Sequence, residues 1–295
     1  MNDYLVKALG YNGFVRAYAV RATQTVQEAQ KRHDTWSNSS AALGRTMIGA
    51  LLLGATLKGE DKLTVKIQGD GPAGAIIVDS NGNGDVKGYI KNPHISLPSN
   101  EKGKIDVRGA VGTNGLFTVI KDLGLKEPFS GQTPLVSGEI GEDFTYYLAV
   151  SEQVPSAVGL SVLVDTDDSI KTAGGFLIQI MPGADDETIT AIEKRLAETP
   201  LISTLLDEGQ TPEEILSGLL GDADLKILET SPVQFACDCS KDKFGAAIIA
   251  LGTTEIQAMI DEDHGAEAVC SFCGNKYTYS EEDLASLKQE AMGGN

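Results

Sequence analysis

The sequence predicts an α+β protein in three parts: an N-terminal α+β core with antiparallel sheets over residues 1–183, a helical linker over 184–231, and a small C-terminal module over 232–295. Alternating apolar segments joined by glycine-rich turns predict the first part. Amphipathic helical patterns after Pro182 predict the second, and confinement of all four cysteines to the last part predicts the third. With 295 residues, of which 41% are hydrophobic, the chain can bury a sizeable core.

The first elements alternate between strand and helix. Gly13 to Thr23 alternates like a strand, and Thr25 to Asp34 follows as a polar helix. The Ser37 to Ser40 run offers helix caps for an apolar helix from Ala41 to Lys58. Three glycines lower the intrinsic helix propensity of that segment, so we expect it to be a closely packed, buried core helix.

An antiparallel meander follows. Its strands are Lys62 to Gln68, Ala75 to Asp79 and Asp85 to Ile90, and Ser80 to Gly84 supplies the Asn-Gly turn of a hairpin. Further elements of the core are expected as one helix, Glu142 to Glu152, and strands at Gly103 to Arg108, Gly115 to Lys121, Thr133 to Ser137, Val158 to Asp165 and Gly175 to Ile180.

Two short amphipathic helices are expected in the linker. Ala184 to Glu198 has acidic residues in its first turn, where the helix dipole favours them. Thr211-Pro212-Glu213-Glu214 is a capping box that opens a second helix with leucines that look exposed. Helices this short depend on tertiary packing, so the segment should unfold easily. An ordinary helical linker explains the same pattern, and the sequence alone favours that simpler interpretation.

The C-terminal module contains helices, a strand and two close pairs of cysteines. Ser240 caps a helix from Lys241 to Leu251, a second runs from Glu255 to Glu262, and Tyr277 to Tyr279 is a short strand before a final helix capped by Ser280 to Asp283. The cysteines are Cys237, Cys239, Cys270 and Cys273.

Two thiol pairs separated by a foldable insert can deliver four sulfurs to one tetrahedral centre, which is the donor set of a structural zinc site. We therefore expect one Zn²⁺ per chain at these four cysteines. A core this thin gains little from burial alone, and structural zinc can contribute about 10 kcal/mol of apparent folding free energy. Loss of the metal should therefore unfold the module. His264 offers an alternative ligand, but a surface position is expected with four cysteines available.

The same thiols suit reversible oxidation. Zinc-bound thiolates are already deprotonated, so metal loss exposes nucleophilic sulfurs. A disulfide between Cys237 and Cys239, one residue apart, would be strained and easily reduced, which suits a switch. Permanent disulfides are less expected, because the first residues show no apolar signal core and a cytoplasmic location is expected.

Charge and motifs exclude several functions. The net charge is −18, which disfavours nucleic acid, and no apolar stretch is long enough to cross a membrane. There is no phosphate-binding Gly-x-x-x-x-Gly-Lys-Ser/Thr loop, no His-Glu-x-x-His and no Gly-x-Ser-x-Gly motif. We therefore expect a protein that neither uses ATP nor acts as an enzyme.

The arrangement of the cysteines resembles the signature of the Hsp33 family of redox-regulated bacterial holdase chaperones. The resemblance covers the whole chain. Besides the cysteines, the segments that carry it are Leu43-Gly44-Arg45, Gly54 to Gly59, Lys66 to Pro72, Ser151 to Ser156 and Gly174 to Gln179.

The resemblance implies a reduced, inactive form whose four cysteines bind zinc. Oxidation then releases the metal and forms disulfides within each pair, Cys237 with Cys239 and Cys270 with Cys273. It also implies that the module and linker loosen, and that the active form dimerises and holds unfolding client proteins without ATP during oxidative stress. The client surface is unknown, and the apolar faces around five linker residues are candidates: Ile189, Ile192, Leu196, Leu216 and Leu219.

Two other functions remain open at this point. A thiol-disulfide oxidoreductase would use Cys270-x-x-Cys273 catalytically, but such motifs normally open a helix, whereas Gly274 to Tyr277 is typical of a turn into a strand. A constitutive zinc-ribbon adaptor would use the metal only as a scaffold.

Overall fold

The computed structural model describes residues 2–221 and 224–293, and the chain divides into two units, Met1–Ala236 and Cys237–Asn295. The strands are β1 (Tyr4–Gly10), β2 (Val15–Arg21), β3 (Lys62–Gln68), β4 (Ala75–Asn81), β5 (Asp85–Ile90), β6 (Leu116–Asp122), β7 (Phe129–Pro134), β8 (Ser156–Val164), β9 (Ile170–Ile180), β10 (Lys226–Pro232), β11 (Gln234–Phe235), β12 (Ala266–Val269) and β13 (Lys276–Tyr279). The helices are α1 (Thr23–His33), α2 (Ser37–Gly54), α3 (Val107–Val111), α4 (Gly141–Val150), α5 (Asp186–Glu198), α6 (Ile202–Asp207), α7 (Pro212–Leu220), α8 (Lys241–Leu251), α9 (Thr253–Asp261) and α10 (Glu281–Gly293). The predicted α+β class is confirmed.

The first unit contains two sheets with α2 between them. One sheet has the order β10-β1-β2-β9-β8, and the other has the order β11-β5-β4-β3-β6-β7. All pairings are antiparallel except β11 with β5. Side chains of α2 and of both sheets form one buried cluster.

The glycines of α2 allow the close packing that the sequence predicts. A Cβ atom on Gly49 would lie 2.4 Å from the Phe144 ring, and one on Gly54 would lie 2.7 Å from the Asn81 carbonyl oxygen. Real side chains essentially never approach so closely, so the helix can lie against α4 and β4 only because these positions lack side chains. The prediction of a buried core helix is confirmed.

The five-stranded sheet is buried on both faces at its central strands β1, β2 and β9. Its second face is covered by the helices of the linker, α5, α6 and α7, through a separate apolar cluster. Leu216 and Leu219 are completely buried there, and Ile192 is 3% exposed. The expectation of exposed linker leucines is therefore wrong, because they fill the apolar face of β1, β2 and β9.

Two predicted elements differ from the structure. No strand forms over Gly103 to Arg108, because the Asp106 carboxylate accepts a 2.8 Å hydrogen bond from the Gly109 N–H and caps the short helix α3. The strand expected over Thr133 to Ser137 is β7, which lies earlier. The strands β1, β10, β11 and β12 and the helices α3 and α6 were not predicted.

The second unit has its own small core. Among its described residues, four buried side chains form an apolar cluster, Ile248, Ile256, Tyr279 and Leu284, between α8, α9, α10 and the hairpin of β12 and β13. Ser240 caps α8 by accepting a hydrogen bond from the Lys243 N–H, as predicted. Within the described parts of both units, no helix has the length and hydropathy of a membrane span.

Candidate metal centre

Two chain segments bring the four cysteines together. Cys237 and Cys239 precede α8, and Cys270 and Cys273 lie in the turn between β12 and β13. That turn is fixed by hydrogen bonds from the Cys270 N–H to the Asn275 carbonyl oxygen, 2.9 Å, and from the Gly274 N–H to the Cys270 carbonyl oxygen, 2.8 Å. The motif therefore opens a strand and not a helix, unlike the redox motif of thioredoxin-like enzymes.

The four sulfur atoms form one cluster. All lie within 4.8 Å of one another, with 3.7 Å between the Sγ atoms of Cys237 and Cys270 and 3.3 Å between those of Cys239 and Cys273. A tetrahedron with zinc–sulfur bonds of about 2.3 Å has edges of about 3.8 Å. The spacing of the sulfurs therefore fits one tetrahedral metal ion.

Burial differs between the two pairs. Cys270 and Cys273 are 5% and 3% exposed, whereas Cys237 and Cys239 are half-buried. All four are free thiols, and the two closest recorded sulfur contacts each join one cysteine of the first pair to one of the second. Solvent therefore reaches the Cys-x-Cys side of the cluster more readily.

The thiols differ in acidity. Burial would raise the pKa of Cys239, but hydrogen bonds, first among them that from the Tyr277 hydroxyl, outweigh it and lower this pKa from 9.0 to about 7. Burial raises the pKa of Cys237 and of Cys273. One thiolate is thus stabilised by the protein itself, whereas four thiolates this close require a cation to balance their charge.

Neighbouring side chains form contacts around the first cysteine pair, Cys237 and Cys239. The Tyr277 hydroxyl lies 3.2 Å from the Cys239 Sγ and 3.0 Å from the Cys239 carbonyl oxygen, and its single proton is shared between these two acceptors when Cys239 is a thiolate. Lys243 forms a 2.5 Å ion pair with Asp238, the residue between the two cysteines. The sequence analysis did not identify Tyr277 as part of the site; its position four residues after Cys273 was the available signal.

The other candidate residues lie elsewhere. The His264 Nδ1 lies 2.9 Å from a carboxylate oxygen of Glu281, and His264 is exposed and not a member of the sulfur cluster. Of the candidate client residues, Leu216 and Leu219 are fully buried against the five-stranded sheet, and Ile189 is partly buried. In this state the candidate client residues therefore offer little accessible apolar surface.

Comparisons with known proteins identify the relatives of this chain. A family profile described as "Hsp33 protein" matches residues 3–280. The chain is 73% identical to the 33 kDa chaperonin of Enterococcus faecalis over 292 residues, covering 99% of this chain and 98% of the relative. It is 61% identical to the 33 kDa chaperonin of Levilactobacillus brevis over 293 residues, 99% of each chain. The crystal structure of the 33 kDa chaperonin of Thermotoga maritima matches with a TM-score of 0.91 and 38% identity, over 99% of this chain and 100% of that one.

Proposed function

Because this chain belongs to the Hsp33 family of chaperones, we propose that it is a redox-regulated, ATP-independent holdase that binds unfolding proteins under oxidative stress. The observation that carries the proposal is the cluster of four sulfurs in a small unit with a thin core. Such a unit depends on its metal, so a chemical change at sulfur becomes a change of conformation.

In the proposed resting state, Cys237, Cys239, Cys270 and Cys273 hold one zinc ion as thiolates. The metal supplies a charge balance for the four sulfurs and much of the folding free energy of residues 237–293. The Tyr277 hydroxyl stabilises the Cys239 thiolate, and Lys243 holds Asp238 beside it.

Oxidation would convert this state. Each disulfide forms from two thiols and one peroxide molecule: the thiols lose two protons and two electrons in total, the O–O bond of the peroxide is broken, and two water molecules are released. We propose the pairs Cys237 with Cys239 and Cys270 with Cys273, following the family resemblance. Half-burial of Cys237 and Cys239 supports first attack at that pair. Disulfide sulfurs are poor ligands, so zinc is released. The thin core alone is then insufficient to keep the C-terminal module folded.

Loosening of the linker would be the second step of activation. We propose that residues 184–231 loosen when the module 232–295 unfolds, so that the apolar face of the core, residues 1–183, becomes accessible. Support comes from the cluster in which α6 and α7 cover β1, β2 and β9. The clients are unfolded or partly folded proteins, and dimerisation of the active form and a cytoplasmic location belong to the same proposal, since reducing compartments keep such thiols free.

The test is suppression of light scattering from a thermally unfolding protein, without ATP. The reduced zinc-loaded form is compared with the form treated with peroxide at raised temperature, and released zinc is read in parallel. Protection that appears together with zinc release supports the proposal. Zinc release without protection favours a constitutive zinc adaptor, and turnover of a model disulfide favours an oxidoreductase.

A further inference from the structure

The strand β10 forms the edge of the five-stranded sheet and contributes little side-chain burial to it. It pairs with β1 in antiparallel register, Tyr4 with Pro232 and Lys7 with Glu229, with a register shift between Lys7 and Ala8. Every residue of β10 except Ser231 is exposed, including Ile227 at 40% and Leu228 at 53%. Backbone hydrogen bonds to β1 are therefore the main interaction that keeps β10 in the sheet.

One ion pair supplements these bonds. The Lys7 Nζ lies 2.9 Å from a carboxylate oxygen of Glu229, and the two side chains are 22% and 54% exposed. Ion pairs that water reaches contribute little net free energy. An edge strand held by its backbone and one partly exposed ion pair is among the less stable elements of a fold.

The neighbouring strand β1 differs from β10 in its burial. β1 is buried on both faces, with Leu5 in the cluster around α2 and Val6 and Ala8 in the cluster under the linker helices. Departure of β10 would therefore leave an ordered strand with an unpaired edge. Such an edge is a template for any extended chain.

The pairing pattern shows which backbone groups that edge presents. The Val233 N–H donates to the Asp3 carbonyl oxygen at 3.3 Å, so Asp3 and Val233 form a hydrogen-bonded pair. Hydrogen-bonded and non-hydrogen-bonded pairs alternate along antiparallel strands. The backbone groups of Leu5 and Lys7 therefore point to β10, and those of Val6 and Ala8 point to β2.

We propose that the β1 edge is a docking site for extended segments of client proteins, which add as a strand in the place that β10 occupies in the resting state. This inference rests on the proposed function. β10 lies between α7 and the cysteines, in the segment proposed to loosen, so the edge opens only in the active form. Backbone pairing is nearly independent of sequence, which suits a protein that must hold many different clients.

The apolar composition of the site favours the same occupant. Beside the edge lies the sheet face of Val6, Ala8, Val15 and Ala17, which the linker helices cover in the resting state. An extended chain with alternating apolar side chains would pair with the edge and bury those side chains at the border of this face. Folded proteins keep their own edge strands short, charged or covered, so an unfolded segment fits this edge better.

The first experiment uses a fluorescent peptide with the sequence of residues 225–233 as the probe and measures its anisotropy on the full-length oxidised protein. Methylation of the peptide nitrogen at the position of Glu229 removes a bond to β1, so binding should weaken about tenfold. Methylation at the position of Thr230, whose N–H points away from β1, is the matched control and should bind like the parent peptide. Equal effects of the two methylations, or no binding of the parent peptide, would overturn the proposal.

The second experiment needs no variant. Amide exchange by NMR should speed up at Leu5 and Lys7 on oxidation, while Val6 and Ala8 stay protected. Addition of a reduced, carboxymethylated unfolded protein should restore protection at Leu5 and Lys7 about tenfold or more. Protection that returns with protein concentration alone would identify a second copy of the chain as the occupant and overturn the proposal. Light-scattering protection without these changes refutes only the β1 site, whereas absence of protection refutes the proposed function.

Discussion

The Tyr277 hydroxyl lies 3.2 Å from the Sγ of Cys239 and 3.0 Å from the carbonyl oxygen of the same residue, and its single proton is shared between both acceptors when Cys239 is a thiolate. One side chain thus contacts both the backbone and the sulfur of Cys239. The contact favours the thiolate and helps to lower the Cys239 pKa to about 7. It links the β12–β13 hairpin, which carries the second cysteine pair, to the first pair.

Replacement of Tyr277 by Phe should make zinc binding more sensitive to acid. Without the hydroxyl, the pKa of Cys239 rises, so protons compete for the sulfur at higher pH. The stabilisation that accompanies this lowered pKa is complete above pH 9.0, the ordinary value for a thiol, and is lost as pH falls through about 7. We expect zinc affinity to fall about tenfold and the pH of half release to increase. The pH of half release is measured with a zinc-sensitive dye during an acid titration.

The matched control is Tyr279→Phe. Tyr279 lies on the same strand, but its hydroxyl donates to the Lys241 carbonyl oxygen and not to a sulfur. This variant should release zinc at the wild-type pH. An unchanged midpoint for Tyr277→Phe would show that the contact does not support the metal site.

Removal of one buried ligand should unfold the C-terminal unit. Cys270→Ser replaces a sulfur that is 5% exposed, and the apolar cluster of four buried side chains in this unit provides little core to compensate. We expect loss of zinc and of the helical circular dichroism of α8 to α10 under reducing conditions. The neighbouring exposed residue provides the control, since Ser271→Ala should keep both signals. Full zinc content in Cys270→Ser would contradict the assignment.

Substitutions at two adjacent residues of α7 should change the rate of activation by peroxide in opposite directions. Leu219 is completely buried against the sheet, so Leu219→Ala should cost about 2–5 kcal/mol of packing and speed the appearance of protection after peroxide. Gly218 is exposed and an added Cβ meets no atom within 4 Å, so Gly218→Ala should stabilise the helix by about 0.5–1 kcal/mol and slow activation. Wild-type rates in both variants would disprove a role for α7 release.

High pH should loosen the contact between β1 and α7. The Tyr4 hydroxyl donates a 2.8 Å hydrogen bond to Glu213, and burial first, then this carboxylate, raises the Tyr4 pKa to about 12. A raised pKa in the folded state means that the contribution is complete below pH 10.0 and is lost as pH rises towards 12. Proteolysis of the linker, followed from pH 8 to 11, should accelerate in wild type more than in Tyr4→Phe. If the rate of proteolysis depended on pH in the same way in wild type and in Tyr4→Phe, the Tyr4–Glu213 contact would not stabilise the linker.

Local signals in the sequence predicted local structure. The Thr211 capping box forms as predicted, with the Thr211 N–H donating to Glu214 and the Glu214 N–H donating to the Thr211 hydroxyl. The spacing of the cysteines predicted the cluster, because each pair lies on one short segment. The capping box needed only residues that are neighbours in the chain, whereas the cluster also needed the fold of the residues between the two pairs to bring them together.

Long-range pairing was not visible in the sequence. β1 pairs with β10 across more than two hundred residues, and nothing in the pattern of either strand specifies the partner. For the same reason the linker leucines looked exposed: the second buried face of the five-stranded sheet exists only after β1, β2 and β9 have come together. Tyr277 was missed because its role depends on hairpin register.

In the proposed function, the state of four sulfurs decides whether the linker helices stay on the sheet. The decisive measurement is hydrogen exchange of the full-length protein, read by mass spectrometry in the reduced zinc-loaded and the peroxide-treated forms. We expect α5, α6, α7 and β10 to lose protection after zinc release, while α2 and β3 keep theirs. Equal protection of α6 and α7 in both forms, with the zinc gone, would contradict it.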